Sequence, residues 1–227
     1  MHSKIQTKIA DKKLQRIKHK IVTRKRGIKR KNKYFNQVLR IFGINAAGIK
    51  CKIKSFDDVL GRLKPHIWMV QETKLKPHEN IQCGALGDYQ VFSLSRQKSQ
   101  GGGVAIGVNK MFESTLIREG DDDTEVISVL VVVGNIPIRV IAAYGVQENA
   151  LKEKKDKFWD FIENEVREAE QNGEGIIIEM DGNLHAGELV KNDPNPQNVN
   201  GKLFLQFLRR NGTLAVVNSM NIYVRES

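Results

Sequence analysis

At 227 residues and 40% hydrophobic composition, the chain is long enough for one medium domain with a real core, and no run of about 18 apolar residues marks a transmembrane helix. The net charge of +11 divides unevenly: residues 1–34 carry 14 Lys and Arg against one acid, Asp11, whereas the rest of the chain holds 23 basic and 25 acidic residues and is close to neutral. The basic N-terminus lacks the apolar stretch of a secretory signal, and Cys51 and Cys83 offer neither a metal spacing nor a disulfide framework. They read as reduced, partly buried thiols of an intracellular protein.

The N-terminal stretch, residues 1–34, has scattered Ile, Val and Leu but no sustained helical stripe. Around TRKRGIKRKNK the charge is dense enough to repel itself and stay solvated. Arg24, Lys25, Arg26, Lys29, Arg30 and Lys31 form a candidate nucleic-acid or nuclear-import patch, and the alternative reading is a solvated arm with no partner. Such an arm favours any polyanion and confers no sequence choice.

From Val38 the texture changes. VLRIFGIN reads as a strand ending at Asn45, and SFDDVLGRLKP as a short helix with a Ser55–Asp58 capping box and a stop at Pro65. HIWMVQETK is a second apolar strand ending at Glu72, DYQVFSLS a third, and QGGGVAIGVNK a glycine turn leading into a fourth. EVISVLVVVGNIPIRVIAAYG reads as a hairpin turning at GNIP and ending at Tyr144. LKEKKDKFWDFIENEVREAEQNG is the clearest helix, with Phe158, Phe161, Ile162, Glu165, Val166 and Ala169 on one face and Gly173 just past its end. IIIEMDGN is the next strand, NDPNPQNVNG a polar loop, KLFLQFLRRNG a helix ending at Gly212, and TLAVVNS the start of another strand. Hairpins interleaved with helices imply an α/β protein of mixed strand pairing, with no internal repeat.

Four apolar runs thus end in polar side chains: Asn45, Glu72, Tyr144 and the Asp181/Asn183 pair. Open α/β sheets present reactive groups at the carboxyl ends of their strands. Converging there, two carboxylates would suit Mg²⁺, which needs one or two of them plus water and substrate phosphate. Amide and phenol donors would hold transition-state oxygens. Each residue alone reads more simply: Glu72 as surface charge, Tyr144 as a packing aromatic, His185 as a loop residue rather than a base.

In order, the motifs IFGINAAG, IWMVQETK, GGGVAI, VIAAYG, EMDGNLHAG and NVNGKLFLQFL resemble those of the endonuclease/exonuclease/phosphatase (DNase I-like) superfamily, and most closely the apurinic-type endonucleases of non-LTR retrotransposons. The resemblance spans residues 38–219. It implies a four-layer α/β/β/α sandwich with two mixed sheets packed face to face, and in-line Mg²⁺- or Mn²⁺-dependent hydrolysis of a DNA phosphodiester that leaves a 3′ hydroxyl. By the same resemblance Glu72 and Asn45 hold the metal. Asp181 orients or deprotonates the attacking water, and Asn183 and Tyr144 contact the phosphate. Lys74, Gln147 and Asn200 are assigned to the substrate, with no membrane and no further cofactor expected.

The chain departs from the family pattern in several places. Ala47 stands where many members carry an aspartate, Gln147 where the tyrosine motif has an amide, and Met180 and Gly182 flank Asp181 in place of Gly and Phe. The family's closing Ser-Asp-His motif has no counterpart before Ser227, and none of His2, His19, His66, His78 and His185 fits it. The expectation is therefore a domain over 35–227 with its final strands missing, an open sheet edge, and catalysis in question. Two alternatives stand beside the DNA endonuclease. One is a phosphatase or phospholipase of the superfamily. The other is a non-catalytic polyanion-binding remnant acting through residues 1–34.

Overall fold

The computed structural model describes residues 38–97, 101–185, 187, 197–212 and 214. The basic patch from Arg24 to Lys31, most of the polar loop after His185, and the strand expected at TLAVVNS, apart from Leu214, lie outside the described residues.

Parallel strands need a crossover, and the sequence supplies a helix for each. β1 (Ile41–Asn45) leads through α1 (Ile53–Leu63) to β2 (Ile67–Gln71), which runs parallel to it with Asn45 opposite Gln71. β3 (Tyr89–Leu94) and β4 (Val104–Asn109) complete the first sheet in the order β1-β2-β4-β3, with β4 antiparallel to both its neighbours. In the second sheet β5 (Glu113–Asp121), β6 (Thr124–Val133) and β7 (Ile136–Tyr144) form an antiparallel meander. From β7 the chain crosses through α2 (Lys152–Asn172) to β8 (Gly175–Asp181), parallel to β7 with Tyr144 opposite Asp181. α3 (Val199–Arg210) follows.

The period-two alternation of each strand sorts its side chains into layers. Ile67, Met69, Ile106 and Val108 of the first sheet meet Ile127, Val129, Val131 and Val140 of the second in a dry inter-sheet core. The opposite face of the first sheet, Trp68, Val70 and Ala105, packs on Phe56 and Leu60 of α1. On the outer face of the second, Val126, Ile141 and Ala143 pack on Phe158, Ile162 and Val166 of α2 and Phe207 of α3. This is the expected four-layer α/β/β/α arrangement. Each such core side chain contributes about 1.5–3 kcal/mol through burial.

Several local expectations give way to packing. Ser55 lies inside α1 and caps nothing; the helix begins at Ile53 after a 3-10 turn over Lys50–Lys52, with no side-chain cap. Ile49, Ile53, Phe56 and Leu60, spaced four, three and four apart, all join one core cluster, and that stripe sets the start. β5 was not anticipated: ESTLIREGD is charged and partly exposed because it forms a sheet edge with a single neighbour, β6. On α2 the buried face takes Trp159, while Phe161 is only partly buried. α3 begins at Val199 rather than Lys202, because the Asn198 side chain accepts from the Gly201 amide as its N-cap. Cys83 is half-buried, and burial followed by the neighbouring Asp57 pushes its thiol up to about 11, whereas Cys51 is exposed, contrary to expectation.

Candidate active site

The two parallel pairs, β1–β2 and β7–β8, deliver their carboxyl ends to the same rim of the sandwich. There the Asn45 amide bridges the sheets: Nδ2 donates to Glu72 Oε1 at 3.1 Å and to Asp181 Oδ2 at 2.5 Å. The Tyr144 hydroxyl donates to the same Glu72 oxygen at 2.8 Å, and the Lys74 ammonium lies 3.0 Å from Oε2. Asn45 is itself oriented by the Ala47 amide, which donates to its Oδ1 at 2.8 Å. Four residues singled out by the strand pattern therefore stand in one hydrogen-bonded set, although Asn45 and Asp181 are 136 residues apart.

Burial pushes the Glu72 carboxyl upward, but the bonds from Asn45, Tyr144 and Lys74 outweigh it and hold the group below the usual carboxylate range. Burial, reinforced by the Glu72 hydrogen bond, pushes the Tyr144 phenol up to about 12, so it remains a neutral donor at physiological pH. Beneath the site, Glu179 lies against the Gln71 side-chain amide, and burial with the Asp181 charge pushes its carboxyl up to about 8.

Asn183, in left-handed conformation (φ 46°), turns the chain after β8. Its backbone amide donates to Asp181 Oδ1 at 3.1 Å and its side chain to the Gly145 carbonyl at 2.7 Å. Beside Asp181 and Asn183 opens a cavity of about 420 Å³, lined also by Gln147, Glu148, Leu184, His185 and Asn198. Asn200 is not part of that lining. It is buried, and its Nδ2 donates to the carbonyls of Val146 at 2.7 Å and Asn183 at 3.1 Å. The substrate contact expected of Asn200 is replaced by a scaffolding place, because its donor hydrogens are spent on two site loops. Asn198 works alongside it, accepting from the His185 amide at 3.1 Å and donating to the Asn183 carbonyl at 3.3 Å.

No protein-family model matches the chain, and no curated protein matches its sequence. Solved structures do match in architecture. A 3′ phosphatase, NExo, from Neisseria, solved with a product DNA hairpin, superposes with a TM-score of 0.57 at 19% identity over 76% of this chain and 71% of that one. The endonuclease domain of TRAS1, a telomere-specific non-LTR retrotransposon, gives 0.53 at 13% over 76% and 70%. An AP endonuclease from Archaeoglobus fulgidus gives 0.52 at 18% over 76% and 71%. The fold is DNase I-like.

Within this DNase I-like frame, the residues that sequence reasoning missed are those that shape the loop carrying Glu72. Glu72 and Lys74 both adopt left-handed backbone (φ 48° and 52°), costly for non-glycine residues unless neighbours enforce it. The Glu72 carbonyl accepts from the Gly48 amide at 2.8 Å, while the Thr73 and Lys74 amides donate to the carbonyls of Gly103 and Gly102 at 3.1 and 2.8 Å. The glycine turn is anchored in its own right by Glu125, a buried carboxylate that accepts from the Gly103 amide and from Arg96 Nε at 2.7 Å. A Cβ on Gly102 would overlap the Glu125 carboxylate, and one on Gly103 would overlap the Thr73 hydroxyl, so this turn is glycine because of what it touches. The only signal for Glu125 in the sequence is an acid opening an otherwise apolar run, EVISVLVVV.

Among the described residues no three His, Cys, Asp or Glu side chains gather closely enough to cage a metal, and no helix is long and apolar enough to cross a membrane. The set around Asn45 offers hard oxygen donors from Glu72 and Asp181 and already holds one cation, the Lys74 ammonium. That donor chemistry fits a Mg²⁺ or Mn²⁺ ion that keeps several waters, and does not require an all-protein cage.

Proposed function

We propose that the chain is a divalent-metal-dependent phosphodiesterase acting on DNA, an endonuclease of the retrotransposon type. The observation that carries this reading is the single hydrogen-bonded set of Asn45, Glu72, Tyr144 and Asp181, built from four strand ends on two sheets. Glu72 and Asn45 would hold Mg²⁺ or Mn²⁺. When bound, such an ion polarises a phosphoryl oxygen.

The chain's own residues supply the rest. Asp181, aimed by Asn45 and by the Asn183 amide, takes a proton from the water that attacks phosphorus. As the new P–O bond forms in line, the opposite P–O bond breaks, and its oxygen leaves as the 3′ hydroxyl after taking up a proton from solvent water. Asn183, through its second Nδ2 hydrogen, and Tyr144, neutral throughout the working range and turning its single O–H from Glu72, donate to non-bridging oxygens whose charge grows in the transition state. Lys74 and the exposed Gln147 meet the flanking phosphate and sugar. The cavity beside Asp181 offers room for the adjoining nucleotide.

The test is supercoiled-plasmid nicking by the full chain, with and without Mg²⁺, beside Asp181→Ala. Nicking that needs Mg²⁺ and falls by about 10²–10⁴-fold in the variant is expected. Equal nicking by both proteins would refute the assignment. The 14 basic residues within 1–34 favour a second reading, a polyanion-binding protein without catalysis. That reading predicts DNA binding that weakens steeply with salt, ignores Mg²⁺, and disappears when residues 1–34 are removed.

A further inference from the structure

Glu72 accepts at both carboxylate oxygens: Asn45 and Tyr144 donate to Oε1, and the Lys74 ammonium sits 3.0 Å from Oε2. The three donors differ in how they are held. Asn45 and Tyr144 project from strand ends, and Asn45 is fixed again by Ala47 and Asp181. Lys74 is tethered at its backbone, where its amide donates to the Gly102 carbonyl at 2.8 Å, but its side chain is 45% exposed. Among the described residues Glu72 is the only carboxylate it pairs with. Its stem passes close to Gly48, where an added Cβ would lie 3.6 Å from Lys74 Cδ. Left-handed backbone at both Glu72 and Lys74 turns the two side chains toward each other, an arrangement the glycine turn enforces.

We propose that Lys74 is the resident cation of this site: it occupies Glu72 Oε2 while no divalent ion is bound, yields that oxygen when one arrives, and is thereby released to the substrate phosphate. The inference rests on the reading of Glu72 as a metal-holding residue. An ammonium and a divalent ion repel each other strongly over one carboxylate, so uptake of the ion must move the ammonium. The pair is partly exposed, so it is weak enough to be displaced yet strong enough to count against the incoming ion. Two opposite consequences follow from one side chain. In the ion-free protein Lys74 competes with the metal, and in the loaded protein it assists the substrate.

The test uses the full chain and isothermal titration with Mg²⁺ alone, on wild type, Lys74→Met, Lys74→Arg and Lys157→Met. Lys157 pairs with Asp121 at the end of β5, so its variant removes the same charge from another part of the surface. Lys74→Met is expected to bind Mg²⁺ about three- to tenfold more tightly, with Lys74→Arg and Lys157→Met within about twofold of wild type. At saturating Mg²⁺, Lys74→Met should nick plasmid with a raised KM. If wild type binds Mg²⁺ and Lys74→Met binds it no more tightly, the displacement is overturned while the metal reading stands. If neither protein takes up Mg²⁺, the assignment of Glu72 fails and the displacement fails with it. Tightening equal to that of Lys157→Met would reduce the effect to net charge and also overturn the proposal.

Discussion

Two charged clusters in this molecule are built in opposite ways. Along the outer face of the second sheet, Arg139 is almost fully buried between Glu165 and Glu174, at 2.6 and 2.8 Å, and Arg118 adds a second cation 3.0 Å from Glu165. Each carboxylate there has a guanidinium, and the cluster ties α2 and the start of β8 to β7 and β5. At the strand-end rim, Glu72 and Asp181 face each other across one amide, and the cation within reach is a partly exposed lysine. Charges that serve the fold are matched, and the Arg139 pairs with Glu165 and Glu174 are dry. Those at the rim are left in acidic excess and open to solvent, which is the state that cation uptake and proton transfer require.

The sharpest way to break this comparison is to unpair the buried cluster. Arg139→Met should cost about 3–5 kcal/mol of stability, read by urea unfolding, because buried Glu174 loses its guanidinium and buried Glu165 one of its two. Mg²⁺-dependent nicking per folded molecule should stay near wild type. A large loss of turnover with stability intact would mean that the two clusters are not separate. An intermediate effect is expected from Glu125→Ala, which frees Arg96 and the Gly103 amide. It should cost about 1–3 kcal/mol, the usual penalty for orphaned buried partners. Because the glycine turn holds the Glu72 loop, the Mg²⁺ concentration needed for half-maximal nicking should also rise, unlike in Arg139→Met.

The effect confined to one pH window concerns Glu179, whose carboxyl is pushed up from the ordinary 4.5 to about 8 by burial and the Asp181 charge. A carboxyl raised on folding binds more protons in the native state than in the unfolded one between those two values, so stability falls as pH rises through that window. Glu179→Gln removes this dependence. The variant should be more stable than wild type at pH 8 and almost unchanged relative to it at pH 4.5, by thermal or urea unfolding at the two pH values. A gain independent of pH would contradict the assignment of the buried acid.

Much of the site was legible because its residues follow apolar runs. IFGIN, IWMVQ, VIAAY and IIIEMD are continuous enough to mark buried strands, and parallel strands joined by helices must place their ends at one rim. What the sequence withheld are pairings set by tertiary distance. Glu125 finds Arg96 across 29 residues, and nothing local marks either as part of the Glu72 loop. Glu179 sits within a strand run and reads as one polar interruption, with no sign of the Gln71 amide it meets from the other sheet. Asn200 is assigned to the substrate by resemblance, and its acceptors, the carbonyls of Val146 and Asn183, are backbone groups that no side-chain pattern reveals. β5 was lost for the opposite reason, since an edge strand satisfies its charges at the surface and carries no apolar signature.

The bond between Asn45 and Asp181 also has a temporal meaning. Its donor lies on β1 of the first sheet and its acceptor at the end of β8, the last described strand of the second. Residues 41–109, which hold the whole first sheet with Asn45 opposite Gln71 and beside Glu72, are synthesised first, yet the rim stays half-built until residue 181 has left the ribosome and the two sheets have docked. A nascent or partly folded chain therefore exposes its strands before it possesses a complete set of reacting groups. The complete rim is the last feature the described fold acquires and the first it loses when the sheets part.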